Sequence, residues 1–260
     1  IEREHPMSAT FAIAKRTLYK FMRTPQLVVV GTIQGAMFLL IFRYVFGGAI
    51  SESSVPYVDF LVPGFITTTV LFAGTATAAG VAEDVEQGFL DRLRSLPIPR
   101  GSVLAGRALA ETILLAWMLG VTAAIGFAVG FRLHGSVAEA LGAFGLCLVF
   151  GFAFSWLFMM LGLFAGNAQA AQGMSLLVFP LTFVSSAYVR TDTMPSWMSW
   201  IAEHQPITAM VDAVRSLTLG DRSTEVLGHA SGHYVPAALV WSVVIVAAFA
   251  PIAVARSRHG

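Results

Sequence analysis

This sequence predicts an all-α membrane protein with six transmembrane helices. Composition is the first reason. Of 260 residues, 56% are hydrophobic and only 12% carry charge, with a mean hydropathy of +0.73. Ordinary soluble domains hold about twice that share of charge. The second reason is length. Six apolar runs approach the ~20 residues that a helix needs to cross a ~30 Å hydrocarbon core. The third is the uneven placement of Lys and Arg among the connections, the bias that orients membrane spans. These runs occupy nearly all of the chain, so residues 1–260 read as a single transmembrane domain. A net charge of +1, with no basic patch interleaved with aromatics, points to no nucleic-acid partner. The lone cysteine, Cys147, lies in an apolar run and rules out an intramolecular disulfide. The opening IEREHPMSAT lacks the apolar core of a cleavable signal peptide. No internal repeat suggests a transporter built from duplicated halves.

Residues 9–23 come first. Phe11, Ala14, Leu18, Phe21 and Met22 share one helical face, and Arg16, Lys20 and Arg23 share the other. This pattern suits an interfacial helix on the cytoplasmic leaflet, or a basic flank that only orients the first span. The spans follow at 27–46, 60–81, 109–129, 141–164, 174–189 and 235–254. With the N-terminus inside, Arg3, Lys15, Arg16, Lys20, Arg23, Arg92, Arg94, Arg100, Arg107, Arg256 and Arg258 are cytoplasmic, and only Arg132, Arg190, Arg215 and Arg222 are outside. Arg43, in the last turns of span one, can snorkel to the outer headgroups. Both termini and the 82–107 connection therefore face the cytoplasm.

That connection reads AEDVEQGFLDRLRSLPIPRGSVLAGR. Given a helical period from Glu83, Val85, Phe89, Leu93 and Leu96 fall on one face, and Gln87, Asp91, Arg94 and Ser95 on the other. Pro97 and Pro99 end the helix. A short amphipathic helix between two spans can lie on lipid or dock into a soluble partner, and its mixed charge favours the partner. A solvated loop is the plain alternative. Span five is short, with about 16 residues covering roughly 24 Å. After it, Pro195 and Pro206 suit first helical turns, Trp197 and Trp200 suit a membrane interface, and Ile207, Met210, Val211, Val214 and Leu217 form one apolar face. Two short helices dipping back toward the bilayer at 195–217 fit this pattern, as does a surface-lying hairpin.

Two stretches carry a family resemblance. In EDVEQGFLDRLRSLPIPRGSVLAGR the acidic pair Glu83/Asp84, Gly88-Phe89, Asp91-Arg92, Ser95-Leu96-Pro97 and Leu104-Ala105-Gly106-Arg107 resemble the loop between spans two and three of type-2 ABC-transporter permeases, in their daunorubicin-resistance-like branch. Far downstream, Pro180, Phe183 to Ser186, Met194-Pro195-x-Trp197, Ile201, Gln205-Pro206-Ile207-Thr208 and Val211-Asp212-Ala213-x-Arg215 resemble the fifth-span region of the same family. The resemblance implies a fold like that of type V ABC exporters. It implies an interfacial helix at 9–23, a coupling helix at 83–96 and re-entrant extracellular helices at 195–217. The coupling residues on the ATPase subunit would be Glu83, Asp84, Glu86, Phe89, Leu90, Arg92, Leu93 and Arg94. Two ABC ATPase subunits and a second permease subunit, identical or a related paralogue, would complete the complex in the plasma membrane and its lipid. Spans two and five would meet at the dimer centre. There Thr68, Phe72, Phe179 and Phe183 offer an apolar wall with a hydroxyl, suited to a hydrophobic or amphiphilic compound such as a drug-like molecule or a lipid. The implied activity is ATP-driven export.

The chain encodes no nucleotide site. A P-loop needs glycines ahead of Lys-Ser/Thr, but the only lysines, Lys15 and Lys20, follow Ala14 and Tyr19. ATP and Mg are therefore expected on the partner subunit, and this chain is expected to bind no cofactor. Glu225, His229 and His233 are four apart and would share a helix face able to hold a metal, but Gly228 and Gly232 interrupt that helix, and no metal site is expected. Glu111 reads as a partner of Arg107 one turn away, with a proton relay as the alternative. Thr67, Thr68, Thr69, Thr75 and Thr77 make span two the most hydroxylated, for helix packing first and substrate contact second. A secondary transporter would need an ion-coupling carboxylate at mid-span, and a membrane enzyme a polar cluster at one depth. Neither pattern is present.

Overall fold

The computed structural model describes residues 6–23, 25–47, 55–89, 92, 100–227 and 231–259. Helices α1 (Pro6–Arg23) and α2 (Pro25–Ile41) open the chain, and a π-helical turn over Phe42–Phe46 extends α2. The central helix α3 (Tyr57–Glu86) follows, then α4 (Arg100–Ala128) and α5 (Val137–Ala165). Three short pieces come next: α6 (Ala168–Leu176), α7 (Phe179–Phe183) and α8 (Ser196–Glu203). The chain closes with α9 (Pro206–Leu219), α10 (Ser223–Leu227) and α11 (Ser231–His259). Among the described residues four helices are long and apolar enough to cross a membrane: Tyr57–Glu86, Gly101–Ala128, Val137–Ala165 and Ser231–Ser257. That is the build of a multi-pass, all-helical membrane protein.

Local chemistry sets the ends. Helix α5 starts in a capping box: the Ser136 hydroxyl accepts the Glu139 N–H at 3.2 Å, and the Glu139 carboxylate accepts the Ser136 N–H at 2.6 Å. Helix α6 starts where Asn167 accepts the Ala170 N–H at 2.8 Å. Pro206 opens α9, where a missing N–H costs nothing. Helix α3 stops at Gly88, whose φ of +65° admits the left-handed turn that closes a helix.

Helix α3 is the axis, packing against α4, α5, α6 and α9, and it is buried along most of its length. Helix α11 packs on α5 and α9 and leaves Leu239, Val240, Val243 and Val244 exposed, a surface suited to lipid. The bundle has two distinct ends. Val81 of α3, Leu104 of α4, Leu163 of α5 and Ala253 of α11 share one small core, and α1 packs on α4 beside it. The N-terminal helix and the end of the last helix therefore lie at the same end. Here a Cβ on Gly106 would collide with the Thr10 carbonyl, so α1 and α4 touch backbone to backbone. At the opposite end the start of α3 meets α9 and the turn between α4 and α5, where the His134 N–H donates to the Thr218 carbonyl at 3.0 Å.

Two elements differ from the sequence-based expectation. Span two, placed at 60–81, and the first turn of a separate coupling helix, placed from Glu83, are one continuous helix to Glu86. Charged residues end an apolar run but do not end a helix, and Asp84 finds a partner within the bundle. Of the rest of the expected coupling helix, Leu90, Leu93 and Arg94 lie outside the described residues. Span five, placed at 174–189 as one helix, is broken: α6 ends at Leu176, α7 covers only Phe179–Phe183, and residues 184–190 form turns. Pro180 lacks the N–H that would bond back to Leu176. The two short helices expected within 195–217 are α8 and α9.

Candidate functional site

At the α1 end of the bundle, Asp84 is 4% exposed and sits in the last turn of α3. A buried carboxylate needs partners, and two neighbouring helices supply them. The Arg107 guanidinium of α4 bonds Asp84 through Nη1, and Arg107 Nε stands 3.6 Å from Glu111 one turn along. From α1, Arg16 Nη2 reaches within 3.7 Å of Asp84. Gly80 leaves the space that the Arg107 guanidinium fills, since a Cβ there would meet Nη2. Arg16 also lies over the Phe89 ring, its guanidinium carbon 3.6 Å from the centroid. Ile13, Thr17, Asp84, Phe89, Leu104 and Arg107 line a small cleft between the three helices. Of the expected coupling residues, Asp84 and Phe89 thus join one cluster with α1, whereas Glu86 and Arg92 are exposed.

Higher on α3, the expected pathway residues fall on one wall. Phe72 meets Phe179 edge-on, with ring centroids 4.6 Å apart, and Phe38 of α2 stands 6.3 Å from Phe72. Phe183 is 52% exposed and lies 5.4 Å from the Tyr188 ring. Thr68 is fully buried beneath Tyr188, whose hydroxyl donates to Thr68 Oγ1 at 3.1 Å. Thr68 therefore shapes the wall from behind. The other span-two hydroxyls bond within their own helix: Thr67 to Pro63 O at 2.9 Å, Thr69 to Phe65 O at 3.0 Å and Thr75 to Phe72 O at 2.8 Å. Tyr188 is the hub that the sequence reading missed. It stacks on Phe42 of the π-helical turn at 4.8 Å, packs at 6.4 Å from Phe65, and accepts at its carbonyl from Tyr57 Oη at 3.4 Å. Its signal in the sequence was slight, an aromatic inside an apolar run.

At the far end of α3, Arg215 is fully buried and bonds to Asp212, Ser186 and the Phe60 carbonyl. Its guanidinium carbon lies 3.7 Å from the centroid of the Phe60 ring. Sequence reasoning put Arg215 among the outer-loop cations, although it stands in the quoted Val211-Asp212-Ala213-x-Arg215 run. Among the described residues no three His, Cys, Asp or Glu side chains cluster to hold a metal ion, and His229 lies outside those residues.

Comparison with known proteins matches this sequence to a family. Residues 8–219 match the model of the ABC-2 type transporter family. The daunorubicin resistance ABC transporter permease protein DrrB1 of Streptomyces coeruleorubidus is 32% identical over 254 residues, which cover 97% of this chain and 87% of that protein. The probable doxorubicin resistance ABC transporter permease protein DrrC of Mycobacterium tuberculosis is 23% identical over 217 residues, covering 82% of this chain and 78% of that one. The putative transport permease ycf38 of Cyanophora paradoxa is 26% identical over 211 residues, 80% and 73% of the respective chains. The matched residues take in α1, both ends of α3, the aromatic wall and α9, and this chain belongs to the ABC-2 type transporter family.

Proposed function

We propose that this chain is the membrane-spanning permease subunit of an ATP-driven exporter for a hydrophobic or amphiphilic compound. Two such membrane subunits and two ATPase subunits form the complex, with ATP and Mg on the ATPases. The six spans comprise the four long apolar helices, α2 with its π-helical turn, and the broken α6–α7 region. Both termini face the cytoplasm. The observation that carries the proposal is the Asp84 cluster. It ties α1, the end of α3 and the start of α4 into one unit at the end where Lys15, Arg16, Arg23, Arg107 and Arg256 lie, and Phe89 leads the chain away from it. A motion applied to Glu83, Glu86, Phe89, Leu90, Arg92, Leu93 and Arg94 by an ATPase would reach α3 directly, because α3 is continuous to Glu86. At the other level of α3, Phe72, Phe179 and Phe183 with Tyr188 form a wall that carries no charged side chain. Such a wall selects by shape and aromatic contact, and so broadly.

Two measurements test this. A cysteine at Thr193, which is exposed, is expected to react with an impermeant thiol reagent in intact cells, and one at Gln87, also exposed, is expected to stay unlabelled until the membrane is opened. Labelling in the opposite pattern overturns the orientation and the docking side with it. In the purified complex, Phe89→Ala removes a ring worth about 1.5–3 kcal/mol when fully buried, so at least a fivefold loss of co-purifying ATPase is expected with membrane insertion unchanged. Undiminished ATPase recovery and coupled hydrolysis would remove Phe89 from the docking surface.

A further inference from the structure

Four polar side chains form a stripe along α9. Gln205, Thr208, Asp212 and Arg215 are spaced three, four and three apart, which puts them on one helix face. Opposite them runs the stretch 181–188, where the helical path has broken and main-chain groups have lost their helix partners. The stripe supplies those partners. Gln205 Nε2 donates to the Leu181 carbonyl at 3.1 Å and to the Val184 carbonyl. Thr208 Oγ1 accepts the Ser186 N–H at 3.2 Å. Asp212 Oδ1 accepts from Ser186 Oγ at 2.7 Å and from Arg215 Nη1 at 3.0 Å. Arg215 Nη2 donates to the Ser186 carbonyl at 2.9 Å and to the Phe60 carbonyl at 3.1 Å, and Nε donates to the same Phe60 carbonyl at 3.2 Å. The stripe spends its hydrogen bonds on the main chain of two neighbouring elements and on Ser186.

Irregular backbone among membrane helices persists only where protein groups satisfy it, and a buried arginine there is costly to keep. What this arrangement secures is position. The held stretch carries Phe183 and Tyr188, whose rings lie 5.4 Å apart, and the Tyr188 hydroxyl reaches Thr68 on α3. Close contact between Gly64 and Ala187, where a Cβ would collide with the Ala187 carbonyl, carries any shift of this stretch into α3. We infer that Gln205, Thr208, Asp212 and Arg215 are positioning residues for the wall: they set where Phe183 and Tyr188 stand, and through them how tightly the transported compound is held. That the wall faces a substrate rests on the permease reading above.

The test uses the full chain with its co-purifying ATPase in lipid nanodiscs and a Cys147→Ala background. The rate of maleimide labelling at Phe183→Cys is compared in wild type, Thr208→Val, Ser186→Ala and Arg215→Lys, with Ser196→Cys as an exposed control outside the stripe. Each of these variants is expected to change the rate at position 183 about fivefold, the weight of one hydrogen bond, and to leave position 196 unchanged. In the native-Phe183 complex, daunorubicin is the amphiphilic probe. Thr208→Val is expected to shift its half-maximal concentration for ATPase stimulation about fivefold while the maximal rate stays within about twofold. That shift is expected to vanish when Phe183→Ala is also present. If Arg215→Lys does not assemble, Thr208→Val and Ser186→Ala, which each remove single bonds, decide the matter. Unchanged labelling at 183 across the assembled variants overturns the inference, as does a shift that persists in Phe183→Ala. A wild-type complex that daunorubicin does not stimulate counts against the permease reading as applied to this compound, and the labelling arm still decides the positioning role.

Discussion

The two ends of α3 are held by different chemistry. At the Phe60 end the tie is Arg215, fully buried and bonded to two main-chain carbonyls and an aspartate. Main-chain carbonyls cannot swing away as side chains do, and a guanidinium offers five donors in a rigid fork. At the Asp84 end the ties run between side chains. Arg107 has Glu111 as a second partner, Asp84 has Arg16, and the Arg16 side chain is 43% exposed to solvent. Exchange among those partners is open because Asp84 and Arg107 each have a second ion within reach, and Arg16 itself lies at the solvent. One end is fixed to main chain, and the other is held by side chains that can re-pair. On the proposed function, that division would suit a helix that presents a wall at one level and receives force at another.

The largest effect should come from removing the fixed tie. Arg215→Met leaves Asp212 without its cation and the Phe60 and Ser186 carbonyls short of a donor, a loss of about 3–5 kcal/mol. Thermal unfolding of the purified complex should show it as a large fall in Tm or as failure to assemble. Removing both charges with Asp212→Ala and Arg215→Met should recover part of that loss, since the uncompensated buried charge is gone. The next effect is at the adaptable end. Asp84→Asn is expected to cost about 1–2 kcal/mol, because Arg107 can turn to Glu111, and to weaken the tie of α1 to α3. Arg16→Ala is expected to cost under about 1 kcal/mol. If Asp84→Asn destabilises as much as Arg215→Met, the contrast between the ends collapses.

Much of this architecture is legible in the sequence, and the parts that are not share a cause. Hydropathy and length mark the helices at 57–86, 100–128, 137–165 and 231–259 because a bilayer-length apolar run has few other solutions. The break after Leu176 is hidden because MSLLVFPLTFV stays apolar throughout, and only Pro180 hints at it. The continuity of α3 to Glu86 is hidden for the converse reason, since charge marks where a run becomes polar but not where backbone hydrogen bonding ends. Phe72, Phe179 and Phe183 are grouped by the resemblance, which sets spans two and five together, and Phe72 does meet Phe179. Tyr188 and Arg215 could not be so placed, because their importance comes from partners more than a hundred residues away in the chain: Thr68 for one, Phe60 for the other. The Asp84–Arg107 tie likewise joins two helices across a connection whose own path the spacing does not reveal.

The smallest expected effect sharpens the comparison from outside the bundle. In the turn before α8, Arg190 makes a two-pronged contact with Asp192, Nε to Oδ1 at 3.2 Å and Nη2 to Oδ2 at 2.6 Å. The chemistry is that of Arg215 with Asp212, but both side chains are largely exposed, 43% and 59%. The Arg190 hydrogen bonds hold the Asp192 carboxyl below its ordinary pKa. A carboxylate lowered in the folded state stabilises above its ordinary value, near 4, and loses that contribution as pH falls through the lowered value. Around neutral pH the pair should therefore be fully formed yet worth no more than about 0.5 kcal/mol, because water screens it. Asp192→Asn is expected to leave the Tm of the complex unchanged while raising trypsin cleavage after Arg190 by about twofold at most. Protection factors against hydrogen exchange across 190–194 should fall on acidification below about pH 4 in wild type and show no such step in Asp192→Asn. A fall in Tm comparable to that of Arg215→Met would mean that pairing itself, rather than burial and bonding to main-chain carbonyls, gives the Phe60 end its rigidity.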